Sequence, residues 1–428
     1  MKKFTELLEK YLQPLSEKIS SQKDLSAVAA GLARITPLTI LGSLFFLLAN
    51  FPIDAYKNFL QEANIQSTLM IPYNITFAII SIYTTFFIAY SYAQSEKLDG
   101  VSVGILSMVS FFILTPLTET DGALSYDFTN LGSRGLFVAI LVALATTRLY
   151  RFIVRKNWVI KMPDGVPPFV EKSFSSLIPA ILISLVMLIV AFIFSLTSFG
   201  DIHDLIYTAL QKPLLGLGSS FGAFLVAYVL IQILWWFGIH GFNVVGAIML
   251  PIWLGLDAQR LEQVAAGEQI TSFVGSAFMT AIGGPALAVT LTFLLFAKSK
   301  QLQAVSKIAL PAAIFNIAEP VNYGIPTVLN VTLFLPVAVI IPLFNACVQY
   351  FTMAVGIVPA LTGVQVPQQV PRGLWGILQG NWQIGVLQIL LVIINIAILY
   401  PFAKVYDNQL VEKEKALEAE EAAVGIAE

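Results

Sequence analysis

Charge is what this chain lacks most: of its 428 residues only 12% are Asp, Glu, Lys or Arg, and the two signs nearly cancel. Neither a nucleic-acid footprint nor a general affinity for acidic partners is implied. Cysteine is almost absent. Cys347 stands alone in an apolar run, which excludes an intramolecular disulfide, a multi-cysteine metal site and a redox pair, and reads as a small buried hydrophobe. No Gly-rich phosphate loop of the Walker type occurs, so ATP hydrolysis by that route is excluded. The ring of like charges or the filter glycines of an ion channel are missing as well. The N-terminus is no cleavable signal, because residues 1–24 carry lysines throughout and contain no compact apolar core.

What the chain does have is apolar sequence, 57% of the total, a level that belongs in lipid. Stretches able to cross the hydrocarbon core recur at 25–49, 72–93, 101–117, 134–153 and 174–199, then at 217–237, 241–256, 271–297, 328–358 and 383–401. The expectation is an all-α polytopic membrane protein of about ten transmembrane helices. In residues 1–24, Phe4, Leu7, Leu8, Tyr11, Leu12 and Leu15 share a helical face, as in a helix lying in the membrane interface. Residues 25–200 then form a five-span block, and 201–216 an amphipathic linker with Ile202, Leu205, Ile206, Ala209 and Leu210 at helical spacing. Residues 217–406 form a second block, and 407–428 a Glu- and Ala-rich solvated tail.

Basic residues orient the chain. Arg148, Arg151, Arg155, Lys156, Lys161 and Lys172 crowd the fourth-to-fifth loop, whereas loop 51–71 carries a single basic residue and loop 118–133 none. Lys and Arg in short loops favour the cytoplasm, so this loop and both termini are expected there. Lys298, Lys300, Lys307, Lys404, Lys413 and Lys415 fall on the same side.

Two places put polar chemistry at membrane depth, where a charge costs about 2.5–3.5 kcal/mol on insertion scales. In Trp235-Trp236-Phe237-Gly238-Ile239-His240-Gly241-Phe242-Asn243 an imidazole stands between glycines. In the run from Pro311 to Pro326, Glu319 is followed by Pro320 and the segment is interrupted by Pro and Gly. Such broken backbone survives only where it is buried in protein or lines a wet cavity, so a re-entrant hairpin is expected near 306–327. A second is expected near 359–382, a stretch holding Gln365, Gln368, Gln369, Arg372, Gln379 and Asn381.

Plain structural alternatives stand beside these readings: a neutral core histidine for His240, a helix-end carboxylate for Glu319. Trp253 and Trp375 read as interfacial anchors, and so does Trp158 in the basic loop. Gly283-Gly284-Pro285 breaks or kinks the eighth span, or lets a ligand approach its backbone. Arg34 snorkels to the interface. A cavity holding one His, one Glu, amides and tryptophans suits a hydroxyl-rich neutral ligand, since carboxylates and amides bind hydroxyls and indole covers the C–H face of a pyranose.

The stretches Trp236-Phe237-Gly238-Ile239-His240-Gly241, Asn316 to Pro326, and Leu32-Ala33-Arg34-Ile35-Thr36-Pro37 resemble the membrane-spanning IIC component of phosphotransferase-system sugar permeases, in the lactose/cellobiose/chitobiose family. That resemblance covers nearly the whole chain. It implies a homodimer in the bacterial plasma membrane, in which the first block makes the dimer contact and the second half with its hairpins holds a disaccharide. It also implies a IIB partner, itself phosphorylated through IIA, that transfers a phosphoryl group to the sugar's 6-hydroxyl. No cofactor or metal is implied. His240 and Glu319 would act at that hydroxyl, Glu319 as base or orienter with His240 as its hydrogen-bonding companion. Asn243, Asn316, Asn322, Trp236, Trp382, Gln379 and Asn381 would be further sugar contacts. A proton-coupled secondary sugar transporter using the same two residues stays open as the alternative.

Overall fold

The computed structural model describes residues 22–425 except 52, 121, 164, 168–169, 171–173, 326 and 380. The interfacial helix expected over 1–24 therefore lies, up to Ser21, outside the described residues. Among those described, eight helices are long and apolar enough to cross a membrane. Besides the short connecting helices Asp54–Glu62 and Phe128–Leu131, the helical segments in chain order are α1 (Lys23–Ala49), α2 (Gln66–Ser95), α3 (Gly100–Leu114), α4 (Ser133–Arg155), α5 (Leu177–Ser195), α6 (Ile202–Gly218), α7 (Phe221–Trp236) and α8 (Gly241–Ala265). There follow α9 (Ser276–Ile282), α10 (Ala286–Phe296), α11 (Lys300–Ile314), α12 (Glu319–Gly324), α13 (Val331–Ala354), α14 (Leu374–Leu378) and α15 (Trp382–Gly425). With the short α3 and the bent pair α6–α7, each of the ten expected crossings has a helical counterpart.

The first block packs by close backbone approach. Gly31 of α1 faces Ile88 of α2 so tightly that a Cβ there would meet the Ile88 backbone. Small residues at such contacts are how membrane helices gain van der Waals packing without a hydrophobic driving force. Between α3 and α4, where a loop was expected, Leu117–Thr120 and Ala123–Tyr126 pair as an antiparallel hairpin. At one end of the block the charges converge: Glu96 accepts from Lys23 (2.8 Å), Arg151 (2.8 Å) and Arg155 (3.1 Å), and Arg148 pairs with Asp24. One buried carboxylate thus ties the ends of α1, α2 and α4 together.

The linker is more than a surface helix. Its His203 and Gln211 are fully buried; His203 Nε2 meets the Thr115 hydroxyl at 3.0 Å and Gln211 donates to the Ser133 carbonyl at 2.8 Å. A bend of 74° then leads into α7.

The tail is ordered by capping. At 1.5 Å per residue, α15 is about 66 Å long, roughly twice the hydrocarbon thickness. Its outer part grips the start of α11. Asp407 accepts from the Lys298 and Ser299 amides, and Glu414 from the Ser299 hydroxyl and the Lys300 and Gln301 amides, at 2.6–3.1 Å. Carboxylates at a helix N-terminus satisfy orphan amides and complement the dipole.

Three expectations need correction. Trp253 and Trp375 are fully buried core residues, not anchors, because each plugs a junction. Trp253 packs on Phe224, and the Trp375 indole donates to the Val366 carbonyl. Cys347 is half-buried rather than core. Trp158, by contrast, is exposed as expected.

The hydrogen bond from Lys23, then that from Arg151, holds the Glu96 carboxyl below the usual carboxylate range against the opposing effect of burial. A depressed acid stabilises the fold above its unfolded pKa and ceases to do so as pH falls through the folded value. Glu96→Gln should therefore lower the thermal midpoint by a few degrees at pH 7, and the gap from wild type should close on acidification. A gap independent of pH, measured by thermal unfolding in detergent, contradicts this role.

Candidate functional site

The site begins where α7 stops. The backbone turns at Gly238, whose φ of +77° favours glycine, and His240 becomes the N-cap of α8. Its Nδ1 accepts from the Asn243 amide at 3.3 Å. In the tautomer that this cap uses, Nδ1 accepts and Nε2 carries the hydrogen and presents a donor. Trp235 lies against the ring, with centroids 4.4 Å apart. Trp236 is held by donating to the Asn330 carbonyl at 3.0 Å and by an edge contact with Phe334.

The expected hairpin takes shape from α11 and α12. The chain reverses at Asn316, which sits at φ +58°, and Glu319 opens α12 just before Pro320. Pro near a helix start costs nothing, because that amide has no intrahelical partner. The Glu319 side chain is exposed, and no hydrogen bond or ion pair from it occurs among the described residues.

Asn316 is the rivet between the two hairpins. Its amide donates to the Gln368 carbonyl (2.9 Å) and the Val370 carbonyl (2.8 Å), and its oxygen accepts from Arg372 Nε (2.9 Å). Arg372 also donates to the Thr280 and Ala281 carbonyls at 2.8 and 3.1 Å. Those carbonyls are left over at the end of α9, where Gly283-Gly284-Pro285 interrupts the span as expected. The Tyr228 hydroxyl occupies the Gly283 carbonyl at 2.6 Å. Behind this, a buried Asp257–Arg260 pair fixes the approach to the second hairpin: Asp257 accepts from Gln365 and the Ala277 amide, both at 2.8 Å.

These elements enclose a cavity of about 310 Å³. His240 and Glu319 both line it, as do Trp236, Asn316 and Asn322. The two titratable residues share the space without bonding each other among the described residues, so the direct His–Glu hydrogen bond is not present. Four expected sugar contacts are absent from the cavity wall for local reasons. The exposed Asn243 side chain points elsewhere, its amide serving the cap. Gln379 is buried and donates to the Val364 carbonyl at 2.6 Å. Asn381 accepts from the Gln383 amide at 2.9 Å, and Trp382 is 65% exposed on the outside. Conversely Tyr228, Gln232, Trp235, Thr280, Gln368 and Gln369 line the cavity. Gln232 had a readable signal, a polar residue one turn before the Trp pair. Thr280 had none.

A multi-pass helical scaffold with broken spans and hairpins around a polar, tryptophan-flanked cavity defines a membrane permease. More particularly, the chain belongs to the phosphotransferase system EIIC family, whose model matches residues 30–342. It is 36% identical to the oligo-beta-mannoside-specific EIIC component of Bacillus subtilis, over 98% of this chain and 97% of that one. It is 35% identical to the cellobiose-specific EIIC component of Geobacillus stearothermophilus, over 97% of each. Its fold is similar to the crystal structure of ChbC, the IIC component of the N,N'-diacetylchitobiose-specific phosphotransferase system, with a TM-score of 0.89 and 35% identity, covering 96% of this chain and 99% of that one.

Asn316→Ala removes three hydrogen bonds, one of them to a charged donor, a loss of about 2–4 kcal/mol at the joint. Sugar affinity should fall about tenfold or more while the protein still elutes as a folded species. Unchanged affinity in a binding titration would show that the two hairpins are positioned without this residue.

Proposed function

We propose that the chain is the sugar-translocating component of a phosphoenolpyruvate-dependent phosphotransferase system and imports a β-linked disaccharide of the cellobiose or diacetylchitobiose type. The observation that carries this reading is that His240 and Glu319, 79 positions apart in sequence, are both exposed to one cavity flanked by Trp235 and Trp236. Its volume of about 310 Å³ lies in the range of small-molecule pockets. The sugars for which these relatives are named, oligo-beta-mannoside, cellobiose and N,N'-diacetylchitobiose, agree with it.

The chemistry follows from the groups. Phosphoryl transfer to a hydroxyl requires an acceptor held in line and a base to take its proton as the bond forms. Glu319, with no partner of its own among the described residues, is free to accept from the sugar's 6-hydroxyl. His240, protonated on Nε2, donates to the same oxygen or its neighbour and fixes its direction. Indole faces of the Trp pair cover the apolar side of the ring. Asn322 and the glutamines Gln368 and Gln369 supply further hydroxyl contacts, whereas Asn316 spends its amide on the second hairpin.

The phosphoryl group comes from elsewhere. Half-buried Cys347 does not line the cavity. The donor is a phosphorylated IIB subunit, supplied in turn by IIA, which docks on the basic inner surface around Arg148 to Lys156. In this reading both termini are cytoplasmic, the membrane is the bacterial plasma membrane, and the five-span block forms a homodimer. Support for the dimer comes from α5, only 17% buried along its most apolar window and so left with a broad face for lipid or a second copy.

Glu319→Gln should bind disaccharide within a few-fold of wild type yet lose phosphorylation by about a hundredfold or more in membranes supplied with phosphorylated IIB. Full activity in this variant would remove the base. Accumulation of unmodified sugar on a pH gradient in vesicles, without partner proteins, would replace the whole reading by proton-coupled transport.

A further inference from the structure

Arg34 is an exposed cation on the first span, Lys23–Ala49. It lies 11 residues into α1, about 16 Å along the axis from Lys23, and its side chain is exposed. The guanidinium lies over the Tyr90 ring at 5.2 Å, and no carboxylate pairs with it among the described residues. Tyr90 is held in turn, its hydroxyl accepting from Gln94 at 2.7 Å. A groove of about 430 Å³ runs between α1 and α2 from Lys23 to Arg34, with Ser91 and Gln94 in its wall. The Ser91 hydroxyl is buried there without a hydrogen-bond partner.

Beyond Arg34 the same face of α1 continues as Pro37, Leu41, Leu44 and Leu48, all exposed and spaced by three or four residues. The surface therefore has an anion-seeking end and an apolar length, joined on one helix face. Charge selects the occupant. A second copy of the chain packed through this stripe by a twofold axis would bring the two Arg34 side chains toward each other. A phospholipid with a net negative headgroup matches both parts at once, and basic recesses between membrane helices at the inner boundary are suited to such headgroups.

We propose that this groove is a binding site for an anionic phospholipid: its phosphate bonds Arg34, and an acyl chain lies along Pro37, Leu41, Leu44 and Leu48. The cation–π contact with Tyr90 keeps the guanidinium aimed at the groove while no lipid is bound. Lys23, already engaged by Glu96, contributes attraction at the mouth rather than a bond.

The test is competition between phosphatidylglycerol and phosphatidylcholine for the delipidated full chain, read by native mass spectrometry and by the shift in thermal midpoint. One cation at an anionic lipid is worth about fivefold in binding, so wild type should retain phosphatidylglycerol at least fivefold over phosphatidylcholine. That ratio should fall toward one in Arg34→Gln and be kept in Arg34→Lys. Equal retention of the two lipids by wild type overturns the proposal without any variant. So does an equal stabilisation by inorganic phosphate alone, which would make the ligand a free anion. Dissociation of a dimer by Arg34→Gln with no lipid preference in wild type would assign the face to a second copy instead.

Discussion

Inside lipid every backbone polar group must find a partner within the protein, and among the described residues this chain breaks its backbone at several places, three of which line the cavity. The interruption after α7, the gap between α9 and α10, and the turn between α11 and α12 all release amides and carbonyls that no water can reach from the bilayer. The structure answers with side chains. His240 caps α8, Tyr228 and Arg372 take the carbonyls freed around Gly283, and Asn316 joins the turn of one hairpin to the backbone of the other. A break so stitched is rigid, and three of them facing one another make a cavity wall of irregular backbone and polar side chains.

Rigidity explains why the chemistry sits where it does. The carboxylate of Glu319 is carried on the α11–α12 hairpin, which is held at both ends. The Asn316 joint holds its tip, and the clasp of Asp407 and Glu414 on the start of α11 holds its base. The clasping carboxylates Asp407 and Glu414 belong to α15, whose last residues form the tail. The hairpin is therefore tied to the tail by hydrogen bonds. The first block, tied by Glu96 and packed through Gly31 and Ile88, offers a fixed surface against which the second can be arranged.

Much of this was legible in the residues. Spans announced themselves by length, and the His240 and Glu319 segments by polarity in the wrong solvent. Family membership followed from three short motifs. What stayed hidden depends on which of several amides a fold turns inward. Asn316, Gln379 and Asn381 were indistinguishable from Asn322 and Gln368 by composition, because an amide serves a backbone carbonyl as readily as a sugar hydroxyl. Trp253 and Trp375 misled for a related reason: indole at a span end is an anchor only if nothing packs over it. Thr280 carries no sequence signal, since its place in the wall arises from the break three residues on.

The claim everything else depends on is that one sugar hydroxyl meets both His240 and Glu319. A structure of the wild-type chain with bound cellobiose or diacetylchitobiose tests it directly. The account predicts a primary hydroxyl within about 2.6–3.2 Å of the Glu319 carboxylate, with His240 Nε2 at that oxygen or the next. A disaccharide held elsewhere, or touching the imidazole while the carboxylate faces away, would contradict it.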